Sequence, residues 1–139
     1  MSVVLDLVLA CLLGGMVFFP IVVAPTVFKV LSGEDASKFL RRMFIGYYRY
    51  IIIGSMLAAG LLVRDPPAAA AMVAIAASTA YVLFAYMPKL NQWRDAELAG
   101  DAEAGQKFAT GHRVTVILNM IQMLVILGIL IARGLGYIA

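Results

Sequence analysis

Residues 114–132 read VTVILNMIQMLVILGILIA, nineteen positions without a charge, introduced by Thr110, Gly111, His112 and Arg113. At about 1.5 Å per residue a helix of this length covers about 28 Å, enough to cross a hydrocarbon core of roughly 30 Å. Three other stretches, about 3–28, 44–63 and 68–87, have the same character. The expected fold is all-α: a bundle of four transmembrane helices running up-down-up-down, as one integral membrane domain over residues 1–139.

Composition leads to the same place. Of the 139 residues 63% are hydrophobic and only 14% charged, with a mean hydropathy of +0.95, more apolar surface than a soluble domain of this size can hide. The formal charge of +3 therefore reports orientation in a bilayer and not nucleic acid. Lys29, Lys38, Arg41, Arg42, Arg49, Lys89, Arg94, Lys107 and Arg113 flank the first and third connections, against Arg64 and Arg133 on the other side, nine to two. The positive-inside rule puts the first and third connections in the cytoplasm and both termini across the membrane. A bacterial inner membrane is the expected location. Cys11 has no second cysteine to pair with.

Along the chain, the first span carries Gly14, Gly15, Pro20 and Pro25 and lacks the basic leader and small-residue cleavage site of a secretory signal, so it reads as retained. Proline chemistry predicts a bend near Phe18 to Ile21 and an end close to Pro25. Ser32, Gly33, Glu34 and Asp35 read as a turn, with Asp35 or Ser37 capping the next helix. Tyr47, Tyr48, Arg49 and Tyr50 form an aromatic and cationic cluster typical of the headgroup level. Gly54 with Ala58, and Ser55 with Ala59, are small-xxx-small pairs that permit close helix approach. Asp65 is placed to cap a third span that is rich in alanine and ends at Tyr86, Met87 and Pro88. Residues 89–113 form the largest polar segment, where Glu103 and Lys107 are spaced to pair on one helical face.

His112, Thr115, Asn119 and Gln122 are spaced by three, four and three, and so fall within about 80° on a helix advancing 100° per residue. Polar groups are costly against lipid, so this stripe should face the bundle interior, either as interhelical glue or as part of a ligand site. Arg42 and Arg49, seven apart, share a face of the second helix near the same boundary; they read either as a basic pocket or as side chains that snorkel to the interface. His112 is the only histidine, which excludes a bis-histidine haem within one chain. Met43, Met56, Met87, Met120, Met123 and Cys11 are what could complete a soft-metal site with it. No motif of a hydrolase or nucleotide enzyme is present.

Several of these residues also carry a resemblance. The pattern A-P-T-V-F-K at 24–29, R-x-M-F-x-x-Y-Y from Arg41 to Tyr48, the segment 88–94, and H-x-x-T-x-x-x-N from His112 to Asn119 resemble the transmembrane protein 205-like family, also catalogued as domain of unknown function 4149. The resemblance covers nearly the whole chain and implies a four-helix membrane protein. That family is distantly similar to copper-resistance-D-like membrane proteins and to four-helix haem-binding protoporphyrinogen oxidases, which implies a redox or metal role; the first span here offers no histidine, so those haem ligands are not carried over.

Taken together, the expectation is a non-enzymatic membrane protein in which Arg42, Tyr48, Arg49, His112, Thr115 and Asn119 form a polar site at the cytoplasmic boundary. That site binds or helps move a small anionic or amphiphilic ligand. The alternatives are an accessory subunit of a larger respiratory or photosynthetic membrane complex, with small-residue faces as interfaces, and a haem- or copper-linked redox protein. A homo-oligomer is compatible with any of these.

Overall fold

The computed structural model describes residues 2–138, which contain helices and no strand. In chain order these are α1 (Ser2–Phe18), a π-helical turn (Phe19–Val23), α2 (Ala24–Val30), α3 (Gly33–Leu61), α4 (Pro66–Tyr81), a second π-helical turn (Val82–Tyr86), α5 (Met87–Leu98) and α6 (Ala102–Gly134). They combine into four continuous rods long and apolar enough to cross a membrane: Val3–Val30, Gly33–Leu61, Pro66–Leu98 and Ala102–Gly134.

The rods outrun the apolar stretches because the polar segments are helical too. Ser32, not Asp35 or Ser37, caps α3, its hydroxyl accepting from the Asp35 amide at 3.4 Å. Asp65 caps α4 by accepting from the Ala68 amide at 3.1 Å, as its position predicts. Asp101 caps α6 in the same way at 3.0 Å from the Ala104 amide, so the fourth helix begins twelve residues before the apolar run at Val114. Between α5 and α6 the chain reverses at Gly100, whose φ of 103° only glycine adopts without strain. The amides of Gly100 and Asp101 close back on the carbonyls of Glu97 and Ala96, an arrangement that satisfies the last carbonyls of α5.

The first and third rods do not end at Pro25 and Pro88 as expected. Both prolines are preceded by the same device. A proline gives no N–H to the carbonyl four residues back and its ring clashes with that carbonyl; a π turn inserts one extra residue and widens the helix at that point. The amide just before Pro25, on Ala24, reaches back five residues to Phe19, and the amide just before Pro88, on Met87, reaches back five to Val82. Thr26 donates its hydroxyl to the Val22 carbonyl in the widened turn at 2.6 Å.

Pro20 is handled from another helix. Its missing N–H would have served the Met16 carbonyl, and the Tyr47 hydroxyl of α3 lies 3.3 Å from that oxygen and 3.0 Å from Asn119 Oδ1 on α6. One phenol thus links three rods inside the bundle. Tyr47→Phe is expected to cost about 1 kcal/mol and less in a Pro20→Ala background, where the backbone N–H returns; thermal melts of the four proteins in detergent measure the coupling.

In the bundle α3 packs on α4, α1 on α3 and α6, and α5 along α6. Small residues are buried on both helices: Ser55, Ala58 and Ala59 of α3 and Ala68 and Ala76 of α4. The small-xxx-small faces are therefore used within the chain. Apolar side chains on the outside, among them Ile21, Phe84 and Leu124, are more than 60% exposed, the pattern of a protein solvated by acyl chains. Three members of the fourth rod's polar stripe, Thr115, Asn119 and Gln122, turn inward, while His112 at its start is exposed. Gln122, 5% exposed, donates its amide to the hydroxyls of Ser78 and Thr79 at 3.0 and 3.1 Å, and Asn119 meets Tyr47.

Candidate functional site

The two ends of the stripe have different surroundings. Asn119 and Gln122 are occupied in the interhelical bonds just described, whereas His112 and Thr115 open onto a crevice of about 220 Å³. The helical period builds this crevice. Ser37, Leu40, Arg41, Phe44 and Tyr48 present one face of α3, and Met87, Leu90, Asn91 and Arg94 one face of α5. Phe108, His112 and Thr115 come from α6, while Ala24 and Phe28 of α2 close the remaining side. Both π turns stand immediately before the segments that reach the crevice, so the widened backbone aims α2 and α5 at it.

The walls are largely aromatic and aliphatic. On α3 the rings of Phe44 and Tyr48 are stacked, centroids 5.6 Å apart and 18° from parallel. On α6 Phe108 stacks with the His112 imidazole at 5.9 Å and 13°, and the Arg94 guanidinium sits 5.4 Å above the other partner in that column, Phe108. Thr115 donates its hydroxyl to the His112 carbonyl at 2.8 Å and faces the Tyr48 hydroxyl.

Charges lie at the rim and are paired. Arg41 makes a two-pronged contact with Asp95, at 2.7 and 3.4 Å, bridging α3 to α5. Arg94 bonds Glu97 at 2.6 Å and the Ser37 hydroxyl at 3.1 Å. The two guanidinium groups are thus neutralised by their own carboxylates. By contrast, among the described residues the His112 ring and the Asn91 side-chain amide make no hydrogen bond, although both line the crevice. They are its free donors and acceptors.

Of the six residues singled out from sequence, the structure brings Tyr48, His112 and Thr115 together in this crevice, with Asn119 one turn behind it. Arg42 and Arg49 are exposed and stand apart from the crevice lining. The reason is register: the residues of α3 that face the crevice at the same seven-residue spacing are Arg41 and Tyr48, and a shift of one position turns a side chain about 100° around the helix. Arg41, Arg94, Asn91 and Phe108 were not among the expected site residues. The spacing of Met87, Leu90, Asn91 and Arg94 is the signal that carries α5 into the site once Pro88 is understood not to stop the helix.

Of the soft-metal set, Met87 lines the crevice with His112, whereas Met43, Met56, Met120 and Cys11 are exposed. The fourth span does contain one M-x-x-M pair, Met120 and Met123, but Met120 is 53% exposed to the outside. Among the described residues no three His, Cys, Asp or Glu side chains come together.

The chain from Leu7 to Leu98 matches the family model described as Domain of unknown function (DUF4149), about two thirds of its length. This chain belongs to the DUF4149 family. The match takes in most of α1, all of α2 to α5 and eleven of the fourteen residues lining the crevice; the α6 wall, Phe108, His112 and Thr115, lies beyond the matched DUF4149 region. Comparison with curated proteins and with solved structures finds no match.

Proposed function

We propose that this protein is a non-enzymatic, four-span, up-down-up-down membrane protein that binds a small amphiphile in the crevice between α2, α3, α5 and α6, and holds it or passes it between bilayer and aqueous phase. The observation that carries this reading is a mostly apolar cavity at the charged end of the bundle in which an imidazole and a carboxamide, His112 and Asn91, have no hydrogen-bond partner among the described residues. Polar groups left free beside apolar walls suit a ligand that brings both an oily body and a hydrogen-bonding head. Tyr48 and Thr115 sit at the inner end, and Arg41 and Arg94 at the rim with their paired carboxylates.

The nine-to-two excess of Lys and Arg supports an orientation in which the crevice opens to the cytoplasm, with both termini across a bacterial inner membrane. The likeness of residues 24–29 and 41–48 to transmembrane protein 205-like proteins belongs with this proposal and carries architecture, not a ligand.

Native mass spectrometry of the protein released from mild detergent tests it. A non-covalent amphiphile adduct is expected on the parent protein and is lost in Ala24→Phe, which fills the crevice. If His112→Ala and Asn91→Ala change neither adduct occupancy nor melting temperature, the crevice does not hold a ligand through these groups.

A further inference from the structure

We infer that the head of the ligand is a neutral, flat, conjugated ring bearing carbonyl or hydroxyl oxygens, carried on an aliphatic tail: the class of the lipid-soluble quinones. This rests on the crevice being an amphiphile site and specifies what that site selects.

Three features argue for it. The first is charge. An anionic head would need a cation free to receive it, but Arg41 is already matched by Asp95 and Arg94 by Glu97. An incoming carboxylate or phosphate would have to displace a bidentate or 2.6 Å partner already in place, so the resident pairs discriminate against anions as well as closing the rim.

The second is shape. The α3 wall offers the Phe44–Tyr48 stack and the α6 wall the Phe108–His112 stack, each within 20° of parallel. Flat walls of this kind gain most from a flat guest that offsets against them, because ring contacts add to the simple burial of area. A saturated chain gains no such term. The Arg94 guanidinium beyond Phe108 polarises that column further.

The third is hydrogen bonding. The two groups left free, the His112 imidazole and the Asn91 amide, stand on different helices, α6 and α5, and each can donate to a carbonyl oxygen or accept from a hydroxyl. A ring with oxygens on opposite edges satisfies both; a single terminal hydroxyl or carboxylate satisfies one. The α2 side, where exposed Phe28 borders the crevice, is the way out for a tail toward lipid. No electron transfer is part of the inference.

Trp93 is the only tryptophan, partly buried on α5 beside Gly111 and next to the crevice residue Arg94, and so reports on this region. The test titrates full-length protein in mild detergent with an oxidised decyl-substituted benzoquinone and follows Trp93 fluorescence, with decanol and decanoate as competitors of the same tail length. Saturable quenching is expected, weakened roughly 5- to 10-fold by His112→Ala and by Asn91→Ala, with competition by other tailed quinones and little by decanol or decanoate. Far-ultraviolet circular dichroism and melts establish that the variants remain folded.

If decanol or decanoate displaces the quinone with equal potency, the amphiphile site stands and the ring specificity is overturned. If quenching never saturates and ignores both substitutions, the quinone merely partitions into the micelle; the inference then falls. Native mass spectrometry separates that result from failure of the site itself: an adduct of another amphiphile sensitive to Ala24→Phe keeps the site, and no adduct removes both.

Discussion

Gly111→Ala is expected to destabilise the bundle by about 1–3 kcal/mol, although alanine is the better helix former by up to about 1 kcal/mol. Gly111 lies directly against the α5 rod. A Cβ added there falls 2.5 Å from Leu90 Cδ2, 3.0 Å from the Tyr86 hydroxyl and 3.2 Å from the Trp93 ring. Leu90 is 3% exposed and can yield only toward the crevice it lines, and the other two neighbours are ring side chains on the same side, so either the helices part or Leu90 intrudes on the crevice. Parting them also reshapes the crevice, because Leu90 and the adjacent His112 both line it. Gly128→Ala is the matched control: nothing lies within 4 Å of its added Cβ, and the propensity gain should appear as a higher melting temperature. Gly111→Leu should go further and abolish a cooperative melt. Gly111→Ala melting with or above Gly128→Ala would show that the α5–α6 contact is looser than this geometry requires.

Glycine at 111 also marks where sequence reading was sufficient and where it was not. The four spans were legible because the bilayer imposes one dominant signal, some twenty apolar residues in a row, and no tertiary contact is needed to recognise it. The inward turn of Asn119 and Gln122 was legible on the same grounds, since a carboxamide against acyl chains is too costly to leave unpartnered. What escaped were effects that depend on a second helix or on backbone adjustment. Pro25 and Pro88 read as stops because the rule for proline assumes an α-helix, and a π turn alters that premise without leaving a mark in the sequence. On α3 Tyr48 lines the crevice, whereas Arg42 and Arg49 each stand one position away from a lining residue. Arg42 and Arg49 have the same spacing as Arg41 and Tyr48, and only the position of α5, bringing Asp95 to Arg41, decides which of the two faces looks into the crevice. Gly111 itself carried no local signature of its role: a glycine in a helix becomes informative once Leu90, Tyr86 and Trp93 are placed against it.

Asp6→Ala is expected to cost about 1–3 kcal/mol at the opposite end of the molecule. The Asp6 carboxylate receives the Arg133 Nε–H at 2.6 Å, joining the first and last rods across 127 residues of sequence. The two partners are unequally placed: the Arg133 side chain is 5% exposed and Asp6 48%. Removing the exposed acid therefore takes a charge-assisted partner from a buried cation, and loss of one member of such a pair costs more than the pair contributes on balance. Asp6→Asn keeps an acceptor oxygen for the same N–H but not the charge, and should fall between. The contrast is Glu34→Ala, which breaks the Glu34–Lys38 pair; with both side chains about 70% exposed, it should leave stability nearly unchanged. Salt sharpens the distinction. At about 1 M ionic strength the screening length shrinks to roughly 3 Å, which erases what little the Glu34 pair contributes but reaches a buried guanidinium poorly, so the Asp6→Ala deficit should survive. If that deficit vanishes in high salt or matches that of Glu34→Ala, Arg133 is held by its other surroundings, and the rods meet at this end through packing alone.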